Sequence, residues 1–386
     1  MKNLDFKRNN LLHIILKFIL YFTIALYPLY LFPSGTIQIS HFLLLIFSVF
    51  ILIFFGFSLE KYFYTFLLFL TYCCIINIFY ITYDFYVFEY NNFKYSKGML
   101  FLSYNFILTI SLISFFNYQK KFNVILYGLA TAILIILFSI FYEYFTDSAT
   151  YRFKGYFNNP NQLGYFSACS FSLIYLLYRN LYIPYYLLIV SLTIVILFSI
   201  LTLSKAAFIS LFLCVLFALK PYNYKYSKII MSIIFLSGVF FMIYFYPQIS
   251  ETNLFHRFTH TLTESDSSME VRGYFVYLEA NFLESIFGMG PQKIHEIRGY
   301  EVHSTFMMIL SSYGLIGFLI FSALMLFWVI DIEKTYGLNG VMCICAPTLL
   351  YGLTHNGIRF SMFWIIFATS ILMSKELIKK KNFKDH

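Results

Sequence analysis

From its N-terminus the chain alternates long apolar runs with short polar breaks, and the runs are close to the roughly 20 residues a helix needs to cross a hydrocarbon layer. Twelve such runs can be drawn: 11–33, 37–57, 61–82, 97–117, 122–145, 161–178, 181–202, 204–219, 228–247, 303–330, 338–354 and 358–374. Strands of a membrane β-barrel would each be about 10 residues long and would alternate apolar and polar positions. The pattern therefore predicts an all-α polytopic membrane protein, with residues 1–386 in one bundle. One polar interruption is far longer than the rest, 248–302, between the ninth and tenth runs. Within it Val271, Tyr274, Phe275, Leu278, Phe282 and Ile286 recur at helical spacing, which predicts an amphipathic helix lying along the membrane surface. Ser267, Ser268 and Glu270 supply its start signals, and Gly288-Met289-Gly290-Pro291 its stop.

Composition agrees. A chain that is 60% hydrophobic and 12% charged, with mean hydropathy +0.74, is not a soluble domain. The first run begins near Leu11 and is long enough to span, so it reads as a transmembrane helix rather than a cleaved signal. The six cysteines all lie in apolar runs, where they act as small hydrophobes and suggest neither a disulfide framework nor a metal site. The 50 Phe and 35 Tyr fit lipid-facing and interfacial packing rather than stacking platforms for nucleic acid.

The net charge of +9 acquires meaning once it is sorted by side. With the N-terminus inside, 16 basic residues fall on the inner side and 10 on the outer, which predicts both termini cytoplasmic. The outer ten are Lys94, Lys97, Arg152, Lys154, Lys205, Arg257, Arg272, Lys293, Arg298 and Arg359. Topology alone discourages them, so they invite a functional reason. No repeat relates the first six runs to the last six, and the break 83–96 has no length to match 248–302, which argues against a repeat-built transporter.

Five places concentrate the outer polar groups. In Tyr151 to Asn161, Gly155 and Pro160 set a turn and Asn161 is placed to cap span six. Arg152 and Lys154 there could grip a phosphate, the Arg as a bidentate fork and the Lys as a point charge; the alternative is snorkelling to headgroups. Thr202-Leu203-Ser204-Lys205 is the one polar break between spans seven and eight, so Lys205 sits at the membrane edge or inside the bundle. An anionic ligand would offset the cost of that charge. Arg272 falls in the first turn of the predicted amphipathic helix, within reach of a phosphate or of Glu279. His303-Ser304-Thr305 opens span ten, where a helix N-terminus favours the neutral imidazole that can take a hydroxyl proton, and His355-Asn356 with Arg359 adds a further cluster.

Together these segments resemble the superfamily of O-antigen polymerases and O-antigen ligases, glycosyltransferases of the bacterial inner membrane. The resemblance rests on Arg152 to Asn161, Ser204-Lys205-Ala206-Ala207, Arg272 with Phe287-Gly288-Met289-Gly290, and His303-Ser304-Thr305 with Tyr313-Gly314-Leu315-Ile316-Gly317. It covers Tyr151 to Trp364 and includes the 12-span layout with its large periplasmic loop. It implies a polyprenyl (undecaprenyl) diphosphate donor carrying an oligosaccharide, used on the periplasmic side of the inner membrane. On that resemblance Arg152 and Arg272 neutralise the diphosphate, and His303 activates or orients the acceptor hydroxyl. Lys154, Asn161, Lys205, Arg257, His355 and Arg359 contact diphosphate or glycan. Many relatives carry Arg where this chain has Lys205, so this chain offers a point charge there instead of a fork. His256, His260 and His295, also in the loop, receive no role.

Fixed cations can stabilise the departing diphosphate where a metal otherwise would, so the expected transfer is metal-independent and uses no cofactor. The favoured activity is polymerase, which adds to another lipid-linked repeat unit. The alternatives are a ligase, which transfers to lipid A core, and a flippase or other transporter of lipid-linked oligosaccharide. The expected partners are the lipid-linked donor, the bilayer, and a chain-length regulator or other polysaccharide-assembly proteins; nucleic acid is not among them.

Overall fold

The computed structural model describes residues 2–33, 36–57, 61–88, 97–119, 122–146, 152–218, 273–291, 293–294 and 302–382. Its elements are α1 (Lys2–Ala25), α2 (Ile39–Phe55), α3 (Lys61–Phe88), α4 (Lys97–Tyr118), α5 (Asn123–Phe145), α6 (Pro160–Arg179), α7 (Tyr185–Leu201), α8 (Lys205–Ala218), the short α9 (Phe282–Phe287), α10 (Thr305–Gly340), α11 (Ala346–Thr354) and α12 (Ser361–Asn382). The described structure is all-helical, and in it five helical stretches are long and apolar enough to cross a membrane. Shorter apolar helices stand at four more of the predicted runs, 11–25, 39–55, 185–201 and 205–218. Span nine, at 228–247, lies outside the described residues.

α6 and α12 form the middle of the bundle. Every residue of α6 from Leu163 to Leu177 is buried, although the helix is rich in Gly, Ser and Ala. Small side chains let neighbouring backbones approach closely, which is how helices associate where lipid removes the hydrophobic incentive. Gly164 shows this directly: a Cβ there would stand 3.0 Å from Ala207 Cβ and 3.3 Å from Ser204 Cβ, so α6 and α8 meet almost backbone to backbone. α12 is buried continuously from Ser361 to Ser374. The outer helices instead present Phe18, Phe22, Ile53, Phe79 and Phe138 outward, as lipid-facing surfaces do.

Two sequence expectations need correcting. The amphipathic helix is not continuous through its described part: Val276–Glu279 is a single 3₁₀ turn, Ala280 and Asn281 are extended, and a new helix starts at Phe282. Asn281 accepts from Glu284 N while the Glu284 carboxylate accepts from Asn281 N, and this reciprocal box starts a helix rather than continuing one. Span ten is not one rod opened by His303. Gly314 (φ 64°, ψ −170°) and Gly337 (φ 68°, ψ −171°) interrupt α10 and leave a half-helix over 305–313 before the long piece 315–336.

The loop docks at that first interruption. Gly288 lies across Gly314 with no room for a side chain on either: a Cβ on Gly288 would be 2.3 Å from Ser312 O, and one on Gly314 would be 2.3 Å from Ile286 O. Met289 N donates to Ser311 O (2.9 Å), and two α3 hydroxyls close the clasp, Tyr80 Oη to Gly288 O (2.6 Å) and Tyr72 Oη to Phe287 O (3.0 Å). Val276, Met289, Ile294 and Val302 form a small satellite core beneath the loop. Gly288→Ala or Gly314→Ala should each lower stability by about 3 kcal/mol, since both positions have positive φ and no space. Thermal unfolding of the purified variants checks this, and unchanged transitions would contradict the crossing.

Candidate functional site

The loop before α6 is held from several sides. Glu143, near the end of α5, accepts from the backbone N–H groups of Lys154 and Gly155, a small nest for a carboxylate. Gly155 turns at φ 58°, where a Cβ would press on Ser139 Oγ at 2.7 Å. Asn158 Nδ2 donates to Phe32 O (2.9 Å) and Tyr30 N to Tyr156 O (3.2 Å), which ties the loop to the α1–α2 connection. The cap of α6 is Asn159, whose side chain accepts from Gln162 N (3.0 Å), with Pro160 in the first turn. This corrects the assignment of the cap to Asn161.

Asn161 is thereby released for another task. Arg152 donates through Nη2 to Asn161 Oδ1 (2.9 Å) and through Nε to the Thr202 carbonyl (2.7 Å). That carbonyl sits in the tight α7–α8 turn, where Leu203 adopts a φ of 50° that a branched side chain rarely takes. Lys205 follows at the start of α8. Across the bundle, Tyr351 Oη donates to the Asn161 carbonyl (2.7 Å), and the Tyr351 ring stacks on His355 at 4.7 Å. Thr305 Oγ1 donates to His355 O (3.0 Å) and accepts from Gly357 N (2.8 Å), so the start of α10 is pinned to the 355–360 turn that carries Arg359. Ser304 caps the half-helix by accepting from Met307 N (3.3 Å). His303, just before it, is exposed.

The structure thus joins Arg152, Asn161 and His355 through two hydrogen bonds and the Tyr351–His355 ring stack. Lys205 and Arg359 lie on the turns these contacts hold, and Lys154 and His303 on adjoining segments. Arg272, Arg257, His256, His260 and His295 lie outside the described residues. Lys293 pairs with Glu284 within the loop. The N-termini of α6, α8 and α10 also lie at this end, and each helix dipole adds partial positive charge. The described interior is tightly packed: the gap lined by Tyr165, Thr305, Gly352 and Gly357 is only about 10 Å³, room for at most one water. That gap is too small for a larger ligand.

Sequence reasoning missed Glu143, Tyr351 and the Thr202 carbonyl. Glu143 was detectable as the one acidic residue in span five. Tyr351 stands four residues before His355, one helical turn away, but a single tyrosine among 35 carries no signal. Asn356 is a polar weak point beside the cluster: both polar atoms of its amide are buried without a hydrogen-bond partner among the described residues. Such a group costs roughly 1–3 kcal/mol until something satisfies it.

Fold and site together define a helical membrane protein with a cation-rich polar cluster at one end of its bundle. Compared with known proteins, the chain matches no family model and no curated protein. Asn356→Leu should raise ligand-free stability by about 1 kcal/mol, because it removes an unpaired buried amide at similar volume. A lower unfolding temperature for that variant would show that the amide is already satisfied.

Proposed function

We propose that this cluster binds the diphosphate of a polyprenyl-linked oligosaccharide, and that the chain is an O-antigen polymerase of the bacterial inner membrane with its active site facing the periplasm. The observation that carries the reading is Arg152 held between the starts of α6 and α8, with Lys205 and Arg359 on the turns that begin α8 and precede α12 at the same end of the bundle. Such a site favours a compact anion of high charge at the membrane edge. The expected layout of 12 spans with both termini cytoplasmic belongs to this proposal, since it puts the cluster on the outer side.

In the proposed step the acceptor hydroxyl oxygen bonds to the anomeric carbon of the donor sugar. The bond from that carbon to the diphosphate oxygen breaks, and the diphosphate leaves with the electron pair. His303 takes the hydroxyl proton. Arg152, Lys205 and Arg272 lower the barrier by neutralising charge as it develops on the leaving group. Arg152 is pre-aimed by Asn161 and Thr202, so little reorganisation is needed. Asn356, with its unpaired amide, is suited to a sugar hydroxyl.

The test is to incubate the purified protein with polyprenyl-diphosphate oligosaccharide, with and without lipid A core. A ladder without core is the expected result. A single transfer that requires core would make the enzyme a ligase, and lipid-linked sugar moved across vesicles without chain growth would make it a transporter. Arg152→Ala should slow ladder formation by about 10² or more. Ladder formation should also persist in excess chelator, and its complete loss there would contradict cation-only stabilisation.

A further inference from the structure

The segment that carries α9 reaches well below the end of the bundle. Tyr72 and Tyr80, whose hydroxyls hold the Phe287 and Gly288 carbonyls, both belong to the apolar span Tyr62–Tyr83 of α3. Tyr80 and Tyr72 stand about 4 and 16 Å along the helix from Tyr83, so carbonyls held by both lie inside a hydrocarbon layer about 30 Å thick. α10 gives a matching depth, because Gly314 follows Thr305 by nine residues and is therefore about 13 Å from the start of that helix. Tyr274 donates to the Leu353 carbonyl at the end of α11, so the chain enters there, descends through α9 to the crossing, and leaves past the Tyr80 ring at Gly290. At about 9 Å long, α9 fits between the edge and that depth.

The side chains that face outward from this segment are apolar. Phe282 and Leu283 are 78% and 63% exposed, and Phe287 is nearly half exposed. Ile75 and Phe79, which share a face of α3 with Tyr72, are exposed as well, and so is Leu315 directly after Gly314. The outward face of α9 therefore continues the lipid-facing surface of α3 and α10. Its polar groups are met as hydrocarbon demands. Glu284 pairs with Lys293 and accepts from Asn281 N, Met289 N reaches Ser311 O, and the irregular backbone at Gly288 to Gly290 is buried. The exposed Glu279, just before α9, marks the upper limit of the embedded part. We infer that residues 282–290 form a re-entrant segment set into the hydrocarbon of the leaflet beside the cation cluster, with Phe282, Leu283 and Phe287 against acyl chains, rather than a helix resting on the membrane surface.

The test places tryptophan reporters in the full-length protein in phosphatidylcholine vesicles and reads quenching by lipids brominated on their acyl chains and by aqueous iodide. The native Trp328 and Trp364 are fully buried and give the background. Phe79→Trp, on the lipid-facing side of α3, sets the standard for an embedded residue. Phe282→Trp and Leu283→Trp should each show bromolipid quenching comparable to that of Phe79→Trp, with little quenching by iodide. Both positions are open, so the added ring needs no room in the core, and either variant decides the matter if the other fails to fold. Strong iodide quenching without bromolipid quenching would put the segment in water and overturn the inference. Protection from both quenchers would put a protein, such as a second copy of the chain, on this face, and would overturn it equally.

Discussion

The crossing of Gly288 over Gly314 is the contact on which the upper part of this molecule depends. Two backbones can pass this closely only if neither carries a Cβ, and both glycines also need φ near +64° to +101°. The consequence is structural on both sides. Gly314 ends the half-helix 305–313 and frees the Ser311 carbonyl for Met289. Gly288 ends α9 and offers its own carbonyl to Tyr80. Without the break, Ser304 and Thr305 would begin a straight rod. With it, a short helix is laid against the 355–360 turn, and its N-terminus lies at the same end as those of α6 and α8.

The same economy governs the charged residues. An arginine at a membrane edge is costly unless its donors are used, and Arg152 uses two of them on an amide oxygen and a turn carbonyl. These two neutral acceptors help to fix the guanidinium in place. Glu143 follows the complementary rule: it accepts from the backbone of Lys154 and Gly155, so it orders the loop beside Arg152.

The parts of this arrangement that could be read in the sequence are those set by simple periodicity or by residue type. Apolar runs located the helices because lipid demands about 20 residues of them, and Thr202 to Lys205 was visible as a tight turn because nothing else interrupts that stretch. The Gly288-Met289-Gly290 stop was visible for the same reason. The break at Gly314 was hidden, because a glycine within an apolar run is common in membrane helices and only its partner across the crossing shows what it does. The false continuity from Val271 to Ile286 has a related cause. Apolar spacing continued through Asn281, but the local box with Glu284 overrode it. The sequence pointed to Asn161 as the cap, and only the hydrogen bonds separated the helix-starting Asn159 from the Arg152 partner Asn161.

The proposed chemistry also explains why Asn161 does not cap. A cap residue spends its side-chain oxygen on a backbone N–H, and Asn159 already does so for α6. Displaced two residues into the helix, Asn161 keeps its side-chain oxygen for Arg152 while its carbonyl accepts from Tyr351. One residue thus couples the outer loop to the α11 end, where His355 stacks on Tyr351. In the proposed enzyme that coupling sets the distance between the cation that receives the leaving group and the turn that meets the sugar. A side chain of different length at 161 would change that spacing even if every charge were retained.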